Sequence, residues 1–392
     1  MPYDAVVVGA GPAGSLMAER LALCGHRVAL VERSERRSAD ACCTGLVSGN
    51  YLRLARLEDD MVVGAKSSAV FVSPSGHRLQ VQSSTPQAYV LERNHLDEHL
   101  RRRAIAAGVE YIPGTTVERI EGVIQGRRRV RGRSRSGPTV HDARCVILSH
   151  GGAPGLTLNV GLEPPRRYMV GAHAVLQMDG VAQTEIHLLQ DVARGLVAWL
   201  MPVDDVFVRA GVLSNESAAR FLRAFVSSDI VRSRLRAVPS GCLVKPVPVA
   251  LSCEMTGTRV AAIGDAAGQV KPTTGGGLYL GAAAVDVAAA VLDRCLREDD
   301  LSARAIREYE RVWGKKYGSE VRREALLRRL YEAIGPRGVD RMIARASRAG
   351  IADGLLASSG FSFDRHSSTL AKGMVKSLAG TVASFAPGGG RR

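Results

Sequence analysis

The sequence lacks the features that would commit it to several large protein classes. No part of its 392 residues approaches about 20 uninterrupted apolar positions, so no membrane-spanning helix is expected. No charged-then-apolar leader precedes the first strand, which begins by Ala5, and the expected site of action is the cytoplasm or the inner face of a membrane. The seven cysteines (Cys24, Cys42, Cys43, Cys145, Cys242, Cys253 and Cys295) are scattered, odd in number and without CxxC pairs, which argues against a disulfide framework or a zinc site. Aromatic and basic residues do not interleave as in a nucleic-acid module, although 53 Lys and Arg against 38 Asp and Glu leave a net charge of +15. That excess, spread along the chain, points instead to an anionic membrane surface or a phosphorylated substrate. Its densest run, RRRVRGRSR from Arg127 to Arg135, reads as a solvated hairpin. There is no internal repeat.

What is present begins at Asp4. AVVVGAGPAG (Ala5 to Gly14) is an apolar strand that breaks into Gly9, Gly11, Pro12, Ala13 and Gly14. A helix follows, with Leu16, Met17, Leu21 and Leu23 at helical spacing; Gly25 ends it, and VALV resumes a strand that stops at Glu32 and Arg33. Strand, tight turn, helix and parallel strand form the context in which GxGxxG has physical meaning. Gly9 permits the turn, Gly11 lets backbone approach a pyrophosphate, and Gly14 lets helix and strand pack closely. The helix N-terminus offers free N–H groups to phosphates. Glu32 is placed to accept hydrogen bonds from a ribose, which favours FAD or NAD over NADP.

The rest of the chain reads as answers to this unit. DACCTGLVSGN (Asp40 to Asn50) is a small-residue loop whose backbone can lie against a flat ring, and sequence physics alone favours a buried structural role for either thiol. Residues 62–91 alternate as antiparallel strands with a Pro-Ser-Gly turn at 74–76. A helix opens at Arg93 with Leu96, Leu100 and Ile105 inward, then come a strand through Val117, the basic hairpin, and ARCVILSHGG, which should return beside the first strand. From Gly155 to about Cys253 short alternating strands predict a sheet able to wall a cavity, with Trp199 read either as core or as pocket lining. Then RVAAIG runs into Asp265, and Gly275, Gly276 and Gly277 precede an alanine-rich helix from Leu278, so that N–H groups can approach an electron-rich ring. Residues 300–350 read as charged helix. Leu370, Met374, Leu378, Val382 and Phe385 share one face of a last helix, with Lys372 and Lys376 off it, a pattern that docks on the protein itself or touches a membrane. The tail APGGGRR reads as disordered.

With both glycine stretches in view, the chain resembles the FAD-dependent oxidoreductases of the aromatic-hydroxylase superfamily, and within it the geranylgeranyl reductase family, over roughly residues 1–320. The resemblance rests on VVGAGPAG, CCTGLVS, VLERNHLDEHL, AWLMP and GDAAGQVKPTTGGGLYLG. It implies an α/β fold: an FAD-binding doubly wound, Rossmann-like domain (1–60, 92–153 and 256–298), an inserted mixed or antiparallel β-sheet substrate domain (61–91 and 154–255), and a C-terminal helical region (299–392). It implies that Cys43 lies by the flavin and takes part in catalysis with Thr44 and Gly45 beside it, that Arg93 contacts FAD, and that Val117 holds adenine through its backbone. By the same resemblance Asp265 contacts the flavin, Gly277 and Leu278 meet its pyrimidine end, and Trp199, Met201 and Pro202 line the substrate channel. In that channel Val197 stands where relatives have tyrosine and Met201 where they have phenylalanine, and SHGG (149–152) replaces the alanine-aspartate-glycine of hydroxylases.

The expected activity is FAD-dependent reduction of C=C bonds in a prenyl lipid or quinone side chain. Cys43 is one candidate proton donor, and NADPH, a deazaflavin or ferredoxin would serve as external electron donor, since one GxGxxG unit leaves no second nucleotide domain. The alternative is a flavin monooxygenase or halogenase acting on an aromatic or polyketide-like substrate; a third reading is a flavoprotein that binds without turnover.

Overall fold

The computed structural model describes residues 2–35, 43–237, 241–251, 254–348, 362–365 and 367. The chain folds into two compact units, each assembled from separated segments. One comprises Met1–Val63, Val90–Gly171 and Leu243–Ala325; the other comprises Gly64–Tyr89, Ala172–Cys242 and Leu326–Arg392. The expected C-terminal helical region is therefore divided at residue 325, and residues 154–171 and 243–255, assigned by sequence to the substrate sheet, belong to the first unit. The amphipathic pattern from Leu370 to Phe385 and the APGGGRR tail lie outside the described residues. Among the described residues no helix is long and apolar enough to cross a membrane.

The first unit is built on a parallel sheet. Tyr3–Val8 pairs on one side with Val28–Val31 and on the other with Gly137–Leu148, the return beside the first strand that a dinucleotide fold requires. Glu110–Ile112 extends one edge and Val260–Ala262 the other, both in parallel register. These strands are apolar along their length, and Ala5 to Val7, Ala29, Leu30 and Val146 to Leu148 are fully buried. The segment VEYIPGTTVERI is two strands, because Pro113 and Gly114 turn the chain after Ile112. Thr116–Ile120 then joins Arg128–Ser134 and Gly137–Leu148 as an antiparallel ribbon. Three of its arginines pair with acids, Arg129 with Asp142, Arg131 with Glu121 and Arg133 with Glu118, whereas Arg128 is buried and donates to the Thr258 carbonyl at 3.0 and 2.8 Å, so the basic run is a hairpin solvated on one face only.

Helix Pro12–Leu23 buries Leu16, Met17 and Leu21, whereas Leu23 is exposed; helix Arg93–Ala106 buries Leu96, Leu100 and Ala104, whereas Ile105 is exposed. In both cases the residue beyond the stripe lies past the end of the buried arc that a period of 3.6 defines. The two helices are clamped by the buried Glu19, whose carboxylate accepts two hydrogen bonds of 2.8 Å from Arg103 Nη2.

The second unit holds a mixed sheet in the order Leu235–Ala237, Tyr168–Met178, Phe207–Ser214, Val197–Pro202, Thr184–Leu188, Ser68–Val72 and Arg78–Gln82. The Pro-Ser-Gly turn closes the last hairpin, with Gly76 at φ +83° and the Ser73 N–H donating to the His77 carbonyl. Thr184–Leu188 and Ser68–Val72 run parallel, and the remaining neighbours within the hairpins are antiparallel. One face packs on helix Ala218–Ser227, where His187 meets the edge of Phe225 at 5.1 Å. On the other face the register aligns Leu79, Phe71, Ile186, Trp199 and Gly211 in one row across five strands. The first four are half-buried, an apolar wall left partly open. Trp199 lies flat where Gly211 has no side chain, and a Cβ there would stand 2.2 Å from its ring. Gly211→Ala should therefore cost about 1–3 kcal/mol through overpacking and shift the Trp199 fluorescence, checked by denaturant unfolding followed by tryptophan emission.

Candidate active site

The first glycine turn is closed to side chains on its inner side and open on its outer one. Gly9 has φ +102°, and a Cβ on it would meet the Ser149 carbonyl oxygen at 2.6 Å; a Cβ on Gly14 would lie 1.9 Å from the Gly9 carbonyl oxygen. At Gly11 nothing comes within 4 Å of the Cβ position, which is the free approach a pyrophosphate needs. Gly11 caps the helix, Pro12 occupies its first turn, and no side chain satisfies the helix N-terminus. Its N–H groups thus remain for an anion. Ser149, from the SHGG stretch, lies under this turn with its hydroxyl 2.9 Å from the Val8 and 2.8 Å from the Gly9 carbonyl oxygen.

Glu32 stands beside the same turn. Its carboxylate accepts the Ala10 N–H at 2.8 Å and the Ser34 N–H at 3.0 Å, so part of its acceptor capacity braces the turn. Each oxygen keeps a second lone pair for a ribose hydroxyl. Arg33 is exposed next to it, and Val117 lies half-buried in the ribbon opposite Gly132, beside a register shift.

The second glycine stretch reaches the first. A Cβ on Gly264 would lie 3.3 Å, and one on Gly281 3.7 Å, from the Ala13 Cβ, so the two helix N-termini approach with almost no side chain between them. Asp265 sits in the short 3-10 turn Gly264–Ala267, and a Cβ on Gly277 would come 2.7 Å from its Oδ1. Gln269 accepts the Gly264 N–H at 2.7 Å and is held from behind by Tyr309 Oη at 2.6 Å, which fixes the turn from the core. Gly277 caps helix Leu278–Arg297 without any side-chain bond, a second uncapped N-terminus in the same unit.

Between these turns lies a charged cluster. Cys43 is half-buried and its sulfur accepts the Gly45 N–H at 3.4 Å, while Gly45 adopts φ +71°. Burial alone would raise the Cys43 thiol, but the positive charges of Arg93 and Lys245 and the hydrogen bonds from Gly45 and Arg93 outweigh it and hold the thiol below its ordinary pKa. Arg93 is buried at the start of its helix and donates to both oxygens of Asp97, one turn on, at 2.8 and 3.1 Å. Burial opposes its charge, yet Cys43 and Asp97 together push its pKa up. Lys245 Nζ is 3.8 Å from Asp265 Oδ2, so one ammonium links the cysteine loop to the Asp265 turn. Sequence reasoning missed Lys245, Asp97 and Tyr51. Only Asp97 carried a signal, its i+4 spacing from Arg93 on one helix face.

Two buried polar atoms here have no partner among the described residues, Arg93 Nε and Tyr51 Oη. Together with the open cradle at Gly11 and two uncapped helix ends, they fit a cofactor that is anionic at its centre and rich in acceptors at its ring. In the second unit, Val197, Trp199 and Met201 share one face of their strand and Ala198, Leu200 and Pro202 the other. Pro202 therefore does not share the Trp199 face, and Met201, though on it, is buried. The strand period of two separates neighbours that the sequence motif groups together. Trp199 Nε1 is buried without a partner among the described residues.

Comparison with known proteins bears on the family and the fold. The profile of the family described as FAD binding domain matches residues 2–163. The chain is 32% identical over 343 residues to digeranylgeranylglycerophospholipid reductase 2 of Methanopyrus kandleri, covering 81% of this chain and 84% of that one. It is 27% identical over 351 residues to digeranylgeranylglycerophospholipid reductase of Methanocaldococcus jannaschii, covering 86% and 89%. Among solved structures, a geranylgeranyl bacteriochlorophyll reductase-like protein from Thermoplasma acidophilum superposes with a TM-score of 0.84 at 19% identity over 98% of both chains. A flavin-dependent brominase superposes with a TM-score of 0.71 at 17% identity, over 97% of this chain and all (100%) of that one. The last two likenesses speak to the fold alone. The cofactor is FAD and the enzyme is an oxidoreductase acting on CH–CH bonds. The chain belongs to the geranylgeranyl reductase family of FAD-dependent oxidoreductases.

Proposed function

We propose that this enzyme saturates double bonds of an isoprenoid chain carried by a lipid or quinone, with Gly9, Gly11, Pro12, Ala13 and Gly14 at the FAD pyrophosphate and Glu32 and Arg33 at the ribose. In this reading Val117 meets the adenine, and Cys43, Thr44, Gly45, Arg93, Asp265 and the stretch Gly275, Gly276, Gly277 and Leu278 surround the ring. The observation that carries the proposal is the half-buried Cys43, whose sulfur accepts the Gly45 N–H and whose thiol the charges of Arg93 and Lys245 make more acidic, in a chain similar to proteins named digeranylgeranylglycerophospholipid reductase.

When bound, FAD supplies the hydride; the protein supplies position, dryness and a proton. Arg93 and Lys245 make Cys43 Sγ a stronger acid than a free thiol, so it can yield a proton to the carbon left after hydride addition and regain one from water. Asp97 keeps Arg93 oriented, and Asp265 does the same for Lys245. The half-open row Leu79, Phe71, Ile186 and Trp199 suits an apolar chain, which gains about 25 cal/mol for each Å² it removes from water. The unpartnered Trp199 N–H offers one donor to a polar end group. The net charge of +15 supports a peripheral position on anionic membrane, and an external donor, NADPH, a deazaflavin or ferredoxin, would deliver electrons by transient encounter. A monooxygenase or halogenase reading draws on likeness of fold alone.

Cys43→Ala should bind FAD normally but reduce geranylgeranyl lipid about 100-fold more slowly, measured anaerobically with dithionite-reduced enzyme. Wild-type rates would remove the thiol from the reaction. Lys245→Met takes away one of the charges that lower the Cys43 pKa, so alkylation of Cys43 by iodoacetamide at neutral pH should slow and its pH profile move upward. Lipids of an expressing host should gain the mass of two hydrogens per saturated bond, and substrate-linked oxygen consumption instead would favour the monooxygenase.

A further inference from the structure

A second charged group lies behind the triple glycine, apart from the cysteine cluster. The turn Lys271–Gly277 closes on Lys271: its N–H donates to the Gly276 carbonyl at 3.0 Å, and its carbonyl accepts the Gly275 N–H at 2.8 Å. The Lys271 side chain is buried and folds back under the turn, its Cε 3.2 Å and its Nζ 3.9 Å from where a Gly276 Cβ would be. From helix Ser319–Arg348, Glu324 reaches the same turn with a carboxyl group that is fully buried. Its Oε2 accepts the Thr273 hydroxyl at 2.7 Å. A lysine and a glutamate sealed from water beneath three glycines are not needed to fold a turn that already closes through its own backbone, and charges so buried are costly to keep.

We propose that Lys271 and Glu324 are positioning residues for the flavin, setting the shape of the triple-glycine turn and the electrostatic potential that the pyrimidine end of the ring experiences. The inference rests on the flavin lying against Gly275 to Gly277. An ammonium beneath the turn favours the negative charge a reduced flavin gains, and an ionised carboxylate beside it opposes that gain. Burial, with Glu320 one helical turn earlier adding to it, outweighs the pull of Lys271 and the Thr273 hydrogen bonds and leaves Glu324 pushed up to about 7. As pH rises through about 7 the carboxylate forms, offsets the ammonium, and the flavin becomes harder to reduce beyond its ordinary pH dependence.

The experiment is spectroelectrochemical titration of the FAD-loaded protein between pH 5.5 and 8.5, roughly one and a half units either side of that value, for wild type, Glu324→Gln, Lys271→Met and Thr273→Val. Glu324→Gln keeps an acceptor for Thr273 and should raise the midpoint potential above neutral pH and remove the extra slope near pH 7. Lys271→Met should lower the potential. Thr273→Val leaves both charges in place but removes a hydrogen bond that holds Glu324 down, so the extra slope should persist and move to higher pH; it serves if either charge variant does not fold, and an unmoved slope there would count against the proposal. Wild-type potentials and slopes in Glu324→Gln and Lys271→Met, with FAD bound, would overturn the proposal. Gly277→Val tests the underlying reading separately: its side chain would collide with Asp265, and undiminished FAD uptake in that variant would remove the flavin from this turn, whatever the charge variants do.

Discussion

The contact on which the site depends is the near-bare approach of two helix N-termini at Ala13. Helix Pro12–Leu23 meets the neighbourhood of helix Leu278–Arg297 there, and a Cβ on Gly264 or Gly281 would come within 4 Å of the Ala13 methyl. Larger residues at any of these three positions would wedge the helices apart. Two positive dipole ends then face one region from segments more than 250 residues apart, 265 by the numbering of Pro12 and Gly277. Neither end is capped by a side chain, and exposed N–H groups of this kind are stabilised by an anionic ligand.

Around that contact the charges form two separate systems. One runs from Asp97 through Arg93 to Cys43 and on through Lys245 to Asp265; the other joins Thr273, Glu324 and Lys271 under the glycine turn. In the first, cations dominate and the thiol becomes more acidic. In the second, burial dominates and the carboxyl becomes less acidic. Environments that push titratable groups in opposite directions are the usual mark of sites that handle protons and charge.

The second unit is described by the faces of its sheet. Strand alternation gives its sheet a face sealed by helix Ala218–Ser227 and a face on which Leu79, Phe71, Ile186 and Trp199 stay partly open. Gly211 makes the row flat by admitting the Trp199 ring over the backbone. Trp199 was open between core and wall in the sequence. Pairing with Ile186 and Gly211 sets which side of the strand it occupies, and there it is half-buried.

Local rules made the parallel dinucleotide fold and the glycine turns legible in the chain: strand-to-glycine-to-helix order, and a carboxylate at a strand tip that favours FAD or NAD over NADP, with FAD itself entering through the resemblance. The sequence also marked Arg93 and Cys43, through a resemblance more than through physics. Tertiary structure alone decided the rest. Lys245, in a strand that sequence assigned to the other domain, comes to Asp265; Glu324, in a helix read as merely charged, comes to Thr273; and Pro202 turns away from Trp199. Electrostatic partners across a fold leave no periodic trace in the chain, since a charge acts through distance in space and not through spacing in sequence.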